Sequence, residues 1–244
     1  MPRTATPAPT GAGRAPARRR TSKVGRVMGG VAGGFLAVVA ALVVVTLVTG
    51  GASSPAPGED GQAVPAASLV REDSHYLSNA GPDAPVLVEF LDLECEACAA
   101  AYPVVEELRA EYEGRLSVVA RYFPLPGHAN AENAAVAVEA AAQQGQFEGM
   151  YQRMYATQPE WGEQQTSEAA RFRTFAEDLG LDMAAYDAAV ADPATLQRVG
   201  RDLTDGQALG VESTPTFFLD GQRIQPESAE DFRALIDAAV EARQ

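Results

Sequence analysis

Residues 86–98 read VLVEFLDLECEAC. The stretch from Val86 to Asp92 is an apolar run interrupted by Glu89. A run without polar alternation belongs to a strand buried on both faces. Pro82-Asp83-Ala84-Pro85, just before it, is a turn signal. Cys95-Glu96-Ala97-Cys98 follows at once. A helical pattern comes next, with Val104, Val105, Leu108 and Tyr112 on one face and Gly114 as its stop. Leu116 to Phe123 (LSVVARYF) is a second strand. Strand, helix, strand is a βαβ unit, and the two cysteines open its helix.

Outward from this unit, residues 124–214 read as a mostly helical block. Ala129 to Gln144 is alanine-rich and helical by propensity. Phe172, Phe175 and Leu179 fall at i, i+3 and i+7, as do Met183, Tyr186 and Val190. Asp182 suits a helix cap, and Pro193 suits the first turn of a helix running to about Leu209. The β signal then returns. Thr216 to Leu219, Asp220-Gly221, and Gln222 to Ile224 predict a hairpin with an Asp-Gly turn. Ser228 and Asp231 resemble a capping box ahead of a terminal amphipathic helix through Phe232, Leu235, Ile236, Ala239 and Val240. The order is βαβ, a helical block, then ββα.

Charge divides the chain. Residues 1–58 hold seven basic residues and no acid, so all 33 acidic residues lie beyond them; the net charge is −14. A domain this acidic is a poor partner for nucleic acid. Residues 1–26 read as a basic, disordered cytoplasmic tail. Val27 to Thr49 is uncharged over 23 residues. As a helix it would span about 35 Å at about 1.5 Å per residue, against about 30 Å for the hydrocarbon core of a bilayer. The flanking positive charge predicts the N-terminus inside and the remainder outside the cytoplasm. A cleaved signal peptide fits the small residues Gly50, Gly51 and Ala52, but the apolar run exceeds an ordinary signal core. A retained single-pass anchor is the expectation; with cleavage the domain would be secreted. Residues 50–74 read as a flexible linker, and residues 75–244 as the exported domain.

Two cysteines in the first turn of a helix meet unpaired backbone N–H groups and the positive end of the helix dipole, which favour a thiolate. The first is the more exposed and can attack or be attacked; the second lies inward and can resolve a mixed disulfide. A structural zinc site needs about four ligands, and only His75 and His128 supplement the two cysteines. A purely structural disulfide closing so small a loop gains little stability. Neither metal nor cofactor is expected beyond a redox-active Cys95–Cys98 pair. His128 reads as structural at a helix entry. Trp161 reads either as a surface aromatic for substrate or as packing within the helical block.

Residues 82–244 resemble a DsbA-like domain of the thioredoxin superfamily. The resemblance rests on CEAC as redox motif, on Pro103 five residues after Cys98, and on Glu89 six residues before Cys95. It also rests on Thr214-Pro215 ahead of a Phe-rich strand, on FPLPGHANAENAA at the entry to the helical block, and on the block itself. It implies an α/β thioredoxin-like fold with a helical insertion at about 124–214. It implies Cys95 as nucleophile, Cys98 as resolving thiol, Glu89 as buried proton carrier, and a cis Pro215 whose loop, with Thr214, docks the substrate chain. Glu96 departs from relatives with a histidine between the cysteines. Its charge, with Asp92 and Glu94 nearby, is expected to oppose the Cys95 thiolate and make the disulfide less oxidising. The implied activity is thiol–disulfide exchange on cysteines of exported proteins, with disulfide formation favoured over reduction and a separate membrane redox partner. The competing reading is a binding module or soft-metal carrier. Two thiols without a Met-rich patch argue against metal carriage.

Overall fold

The computed structural model describes residues 63–243. The basic tail and the apolar 27–49 segment lie outside the described residues. Among the described residues no helix is long and apolar enough to cross a membrane.

β2 (Val86–Leu91) is the centre of the molecule. It pairs in parallel with β3 (Ser117–Tyr122), which also pairs antiparallel with β1 (His75–Ser78). On its other side β2 runs antiparallel to β4 (Thr216–Leu219), which continues into β5 (Gln222–Ile224). The order is β1-β3-β2-β4-β5. A strand flanked on both edges and covered on both faces has no solvent side, which is why VLVEFL carries no polar alternation. Its period of two still operates. Leu87 and Leu91 point into the larger core with Val105 and Leu108 of α2 (Glu96–Glu111). Val88 and Phe90 point into a smaller core with Val119, Phe123 and Phe218. Glu89 shares the parity of Leu87 and Leu91 and therefore faces α2.

The helical block between β3 and β4 comprises α3 (Ala131–Ala142), α4 (Phe147–Trp161), α5 (Ala169–Asp178), α6 (Met183–Ala191) and α7 (Pro193–Ala208). Asp182 caps α6 through the N–H groups of Ala184 and Ala185, and Asp192 caps α7 through that of Ala194. Trp161 is fully buried, edge-on to Phe172, and its ring N–H donates to the Met154 carbonyl; it packs the block rather than facing substrate. The hairpin turn forms at Asp220 (φ 49°) and Gly221 (φ 88°), the two positive φ values that an Asp-Gly turn supplies. Ser228 accepts from the Asp231 N–H at the start of α8 (Ala229–Glu241), which lies beside α2 through the Tyr112–Asp237 hydrogen bond.

The linker expectation is corrected for residues 63–74. They carry a short helix, α1 (Ala66–Leu69), and Leu69 is buried in the smaller core. The Val64 N–H donates to the Gly221 carbonyl at 2.8 Å. A buried ionic cluster holds the same stretch. Arg121 on β3 is fully buried, donates to Asp202 (2.6 Å) and Asp205 (2.5 Å) on α7, and reaches the Leu69 carbonyl. Arg71 closes on Asp205 from the other side. An unpaired guanidinium there would cost several kcal/mol. Asp202 and Asp205 pair that charge, and the segment adds the Leu69 carbonyl as a further acceptor and Arg71 as a second partner of Asp205, so it belongs to the domain, a role that its Pro- and Ala-rich composition does not reveal.

Candidate active site

α2 begins at Glu96, with Cys95 as its N-cap in extended conformation. Cys95 therefore stands before the first unpaired N–H groups of the helix. Both cysteines are free thiols. Cys95 is 8% exposed and Cys98, one turn deeper, 0%. The inequality expected from spacing is present: Cys95 is the less buried of the two residues.

Opposite Cys95 lies the loop entering β4. The Thr214–Pro215 peptide bond is cis, as the resemblance implied. The Cys95 thiol donates to the Thr214 carbonyl at 3.5 Å. From α4, the Gln158 side chain donates to the carbonyls of Leu93 (3.2 Å) and Cys95 (2.9 Å), fixing the approach to the helix. Nothing local in the sequence marks Gln158, since a lone glutamine on a helix is ordinarily a surface residue.

The two thiols differ in acidity. Cys95 is lowered to about 5, chiefly by the hydrogen bond from Cys98. Burial works against this, and the Thr214 side chain and the N–H groups of Cys98 and Ala97 work with it. Cys98 is raised well above its ordinary value by burial, by its bond to Cys95, and by the charge of Glu89. The Cys95 thiolate is thus favoured despite the three acids close by in sequence. Asp92 turns away: it accepts from the N–H groups of Glu94 (2.8 Å) and Leu125 (2.9 Å) and pairs with His128 Nδ1 at 2.7 Å. Glu94 accepts from the Asn130 N–H at 2.6 Å. Glu96 is exposed and is not among the main influences on Cys95. Chain neighbours of the thiol are not its spatial neighbours, and hydrogen bonds at the helix start outweigh them.

Glu89 lies where the sequence put it, in β2 behind the cysteines and 1% exposed. Its pKa is raised to about 8, by burial first and then by the charges of Glu106 and Cys95. His128 stands at the entry to α3, bonded to Asp92. Burial lowers its pKa, but the bond to Asp92 and the negative charges around it raise it on balance. His75, the other conceivable zinc ligand, is stacked on Phe147 and bonded to Glu139 at 2.6 Å. Among the described residues no cluster of three or more His, Cys, Asp or Glu side chains is arranged for a metal ion. Two cavities involve the chain around this loop, one at the residues just before it and one at Pro215 itself. One, of about 560 Å³, is lined by Leu125, Pro126, His128, Leu203, Val211 and Glu212. The other, of about 230 Å³, is lined by Pro215, Phe217, Arg223 and Ile224.

The family model described as thioredoxin matches residues 80–238, nearly the whole described domain. The chain belongs to the thioredoxin family. Solved structures agree on the fold. A DsbA of Wolbachia pipientis, alpha-DsbA1, superposes with a TM-score of 0.62 at 19% identity, over 72% of this chain and 94% of that one. A thioredoxin-like oxidoreductase from Silicibacter pomeroyi superposes with a TM-score of 0.61 at 22% identity, over 73% and 99%. By sequence, the chain is 37% identical over 143 residues to a protein of Herminiimonas arsenicoxydans named as the Na(+)/H(+) antiporter NhaA. That stretch is 57% of this chain but 21% of the antiporter; the chain spans about a fifth of the length of the curated relatives it matches. For a thioredoxin-family domain, an accessible low-pKa thiol beside a buried high-pKa thiol is the equipment of thiol–disulfide exchange.

Proposed function

We propose that the chain is a thiol–disulfide oxidoreductase acting on the cysteines of extracytoplasmic proteins, held to the cell membrane by residues 27–49 and working in the direction of disulfide formation. The observation that carries this reading is the split between the two thiols: Cys95 lowered to about 5 at the mouth, Cys98 raised and sealed behind it. A stabilised thiolate is a good leaving group and stabilises the reduced enzyme, so the enzyme's disulfide tends to accept electrons. A substrate thiolate attacks Cys95 of the Cys95–Cys98 disulfide, breaks that bond, and leaves a substrate–Cys95 mixed disulfide with Cys98 as thiolate. Cys98 takes a proton from Glu89. A second substrate thiolate then attacks the substrate sulfur of the mixed disulfide, forms the new substrate disulfide, and expels Cys95 as its favoured thiolate. Two electrons pass from substrate to enzyme. A membrane redox partner returns the cysteines to the disulfide.

Thr214 and Pro215 supply the docking edge, because their loop is the backbone that touches Cys95 and Pro215 lines a cavity of about 230 Å³. Membrane attachment is supported by the uncharged 27–49 segment behind seven basic residues. It is also supported by the occurrence of a similar stretch within proteins named as ion antiporters.

The purified chain should oxidise a reduced, unfolded dithiol protein faster than its Cys95→Ser variant does; equal rates would reject the enzymatic reading. Carbonate extraction should leave the chain in the membrane fraction, and protease added to intact cells should remove the domain. A protected domain would reject the topology.

A further inference from the structure

Neither Cys98 nor Glu89 touches solvent, so a proton exchanged between them has no direct way out. Three buried atoms behind them lack a protein partner: Glu89 Oε2, Tyr151 Oη and Tyr155 Oη. A buried hydroxyl left unsatisfied costs about 1–3 kcal/mol, and phenylalanine would fill the same space without that cost. Buried polar atoms in such a group are ordinarily satisfied by internal water.

The three atoms lie along one seam. Cys98, Tyr102, Glu106 and Arg109 recur on α2 at i, i+4, i+8 and i+11, which is one helix face. Tyr151 and Tyr155 of α4 meet that face. The ring centroids of Tyr102, Tyr151 and Tyr155 are 5.5, 5.0 and 5.1 Å apart in pairs. The charge of Glu89 acts on both buried hydroxyls, and Cys98 and Asp92 act on that of Tyr155. Burial raises both tyrosines well above their ordinary values, so each stays neutral and can donate and accept at once. At the outer end, Glu106 is 26% exposed and is clamped by Arg109, which also reaches Glu148. Glu106 is the first charge acting on Glu89. On the sheet, the register partners of Glu89 are Ala120 and Phe217, so the sheet offers the proton no partner.

We propose that the seam between α2 and α4 is a proton conduit, in which Tyr155 and Tyr151, bridged by internal water, pass the proton between Glu89 and the surface carboxylate Glu106. It rests on the oxidoreductase reading above. When Cys98 resolves a mixed disulfide, Glu89 takes the Cys98 proton. The Cys98 thiolate attacks Cys95, the Cys95–substrate S–S bond breaks, and the substrate leaves as a thiolate that is protonated from solvent. Near pH 6 Glu89, raised to about 8, already holds a proton, which must leave along the seam to Glu106 before Glu89 can take that of Cys98, so the exit precedes and limits release. No electron moves through the seam. Tyr151, Tyr155, Tyr102 and Glu106 are positioning residues, since none touches the reacting sulfurs of the substrate.

The test is single-turnover release of a thiol-containing peptide from a preformed Cys95–peptide mixed disulfide of the full chain, from pH 6 to 9. Wild type is compared with the Tyr151→Phe/Tyr155→Phe double variant and with Glu106→Gln. The conduit predicts release slowed at least fivefold near pH 6 in both variants, with a larger solvent deuterium isotope effect. The deficit should fade near pH 9, where Glu89 is already ionised, and the pH profile of Cys95 alkylation should not move. Unchanged rates in Glu106→Gln overturn the conduit. So does equal slowing at every pH, which is the mark of disturbed packing. If the double variant does not fold, Glu106→Gln decides alone. Wild type that releases no peptide at any pH defeats the oxidoreductase reading and the conduit with it.

Discussion

Replacing Cys95 by serine in the reduced protein should abolish a pH-dependent part of its stability. Cys95 is lowered from an ordinary thiol value of 9.0 to about 5 in the folded chain. A depressed folded pKa contributes stability that is complete above the unfolded value and is lost as pH falls through the folded one. Each pKa unit is worth about 1.4 kcal/mol. From pH 4 to pH 8 about three units are traversed, or about 4 kcal/mol before screening. Cys95 sits at the mouth of the site, where solvent weakens its electrostatics, and halving the figure leaves about 2 kcal/mol. Urea unfolding under reducing conditions measures it. The difference between wild type and Cys95→Ser should grow by about 2 kcal/mol in favour of wild type between pH 4 and pH 8. Curves that stay parallel within about 0.5 kcal/mol would refute the thiolate assignment. The oxidised chain has no thiolate to stabilise. The same linkage at pH 7, about 1.4 kcal/mol after screening, would shift the couple by about 30 mV toward oxidant.

Glu89 carries the opposite sign. Its pKa is raised to about 8 by burial, so wild type loses stability as pH rises from about 4.5 through 8. Glu89→Gln should remove that slope and gain roughly 4 kcal/mol relative to wild type between pH 4 and pH 9; denaturation midpoints that track wild type across this range would show that Glu89 is not held neutral. Asp202, fully buried between Arg121 and Arg198, should cost about 3–5 kcal/mol when changed to alanine, because Arg121 then loses a partner in a buried site. A loss under about 1 kcal/mol in urea unfolding would show that the cluster does not hold residues 63–74 to the sheet.

The parts of the fold legible in sequence were those whose burial leaves a composition mark. β2 and β3 read as strands because both faces are covered, and the β4–β5 turn because Asp220 and Gly221 must take positive φ. β1 left no mark: it is a four-residue edge strand whose Tyr76 is exposed, so neither length nor pattern distinguishes HYLS from a loop. Residues 63–74 were obscured because one buried side chain, Leu69, and backbone carbonyls do the packing. The site was legible as far as its covalent spacing went: Cys95, Cys98, Glu89, Thr214 and Pro215 are brought together as the motif and the resemblance implied. Its electrostatics were not. Asp92 and Glu94 look like neighbours of the thiol along the chain but spend their charge on His128 and on backbone N–H groups of the segment entering α3. Gln158, Tyr151 and Tyr155 reach the site from α4, and nothing in their spacing ties that helix to the cysteines.

The division of labour between the two thiols is tested most directly by trapping. In cells producing Cys98→Ser, Cys95 should remain joined to extracytoplasmic proteins as mixed disulfides, seen as reductant-sensitive adducts on non-reducing gels. The adducts persist because exchange passes through a covalent intermediate that Cys98 clears. Cys95→Ser should give none, because the remaining thiol is 0% exposed and its pKa is raised well above the ordinary value. Adducts on Cys95→Ser and none on Cys98→Ser would contradict the account.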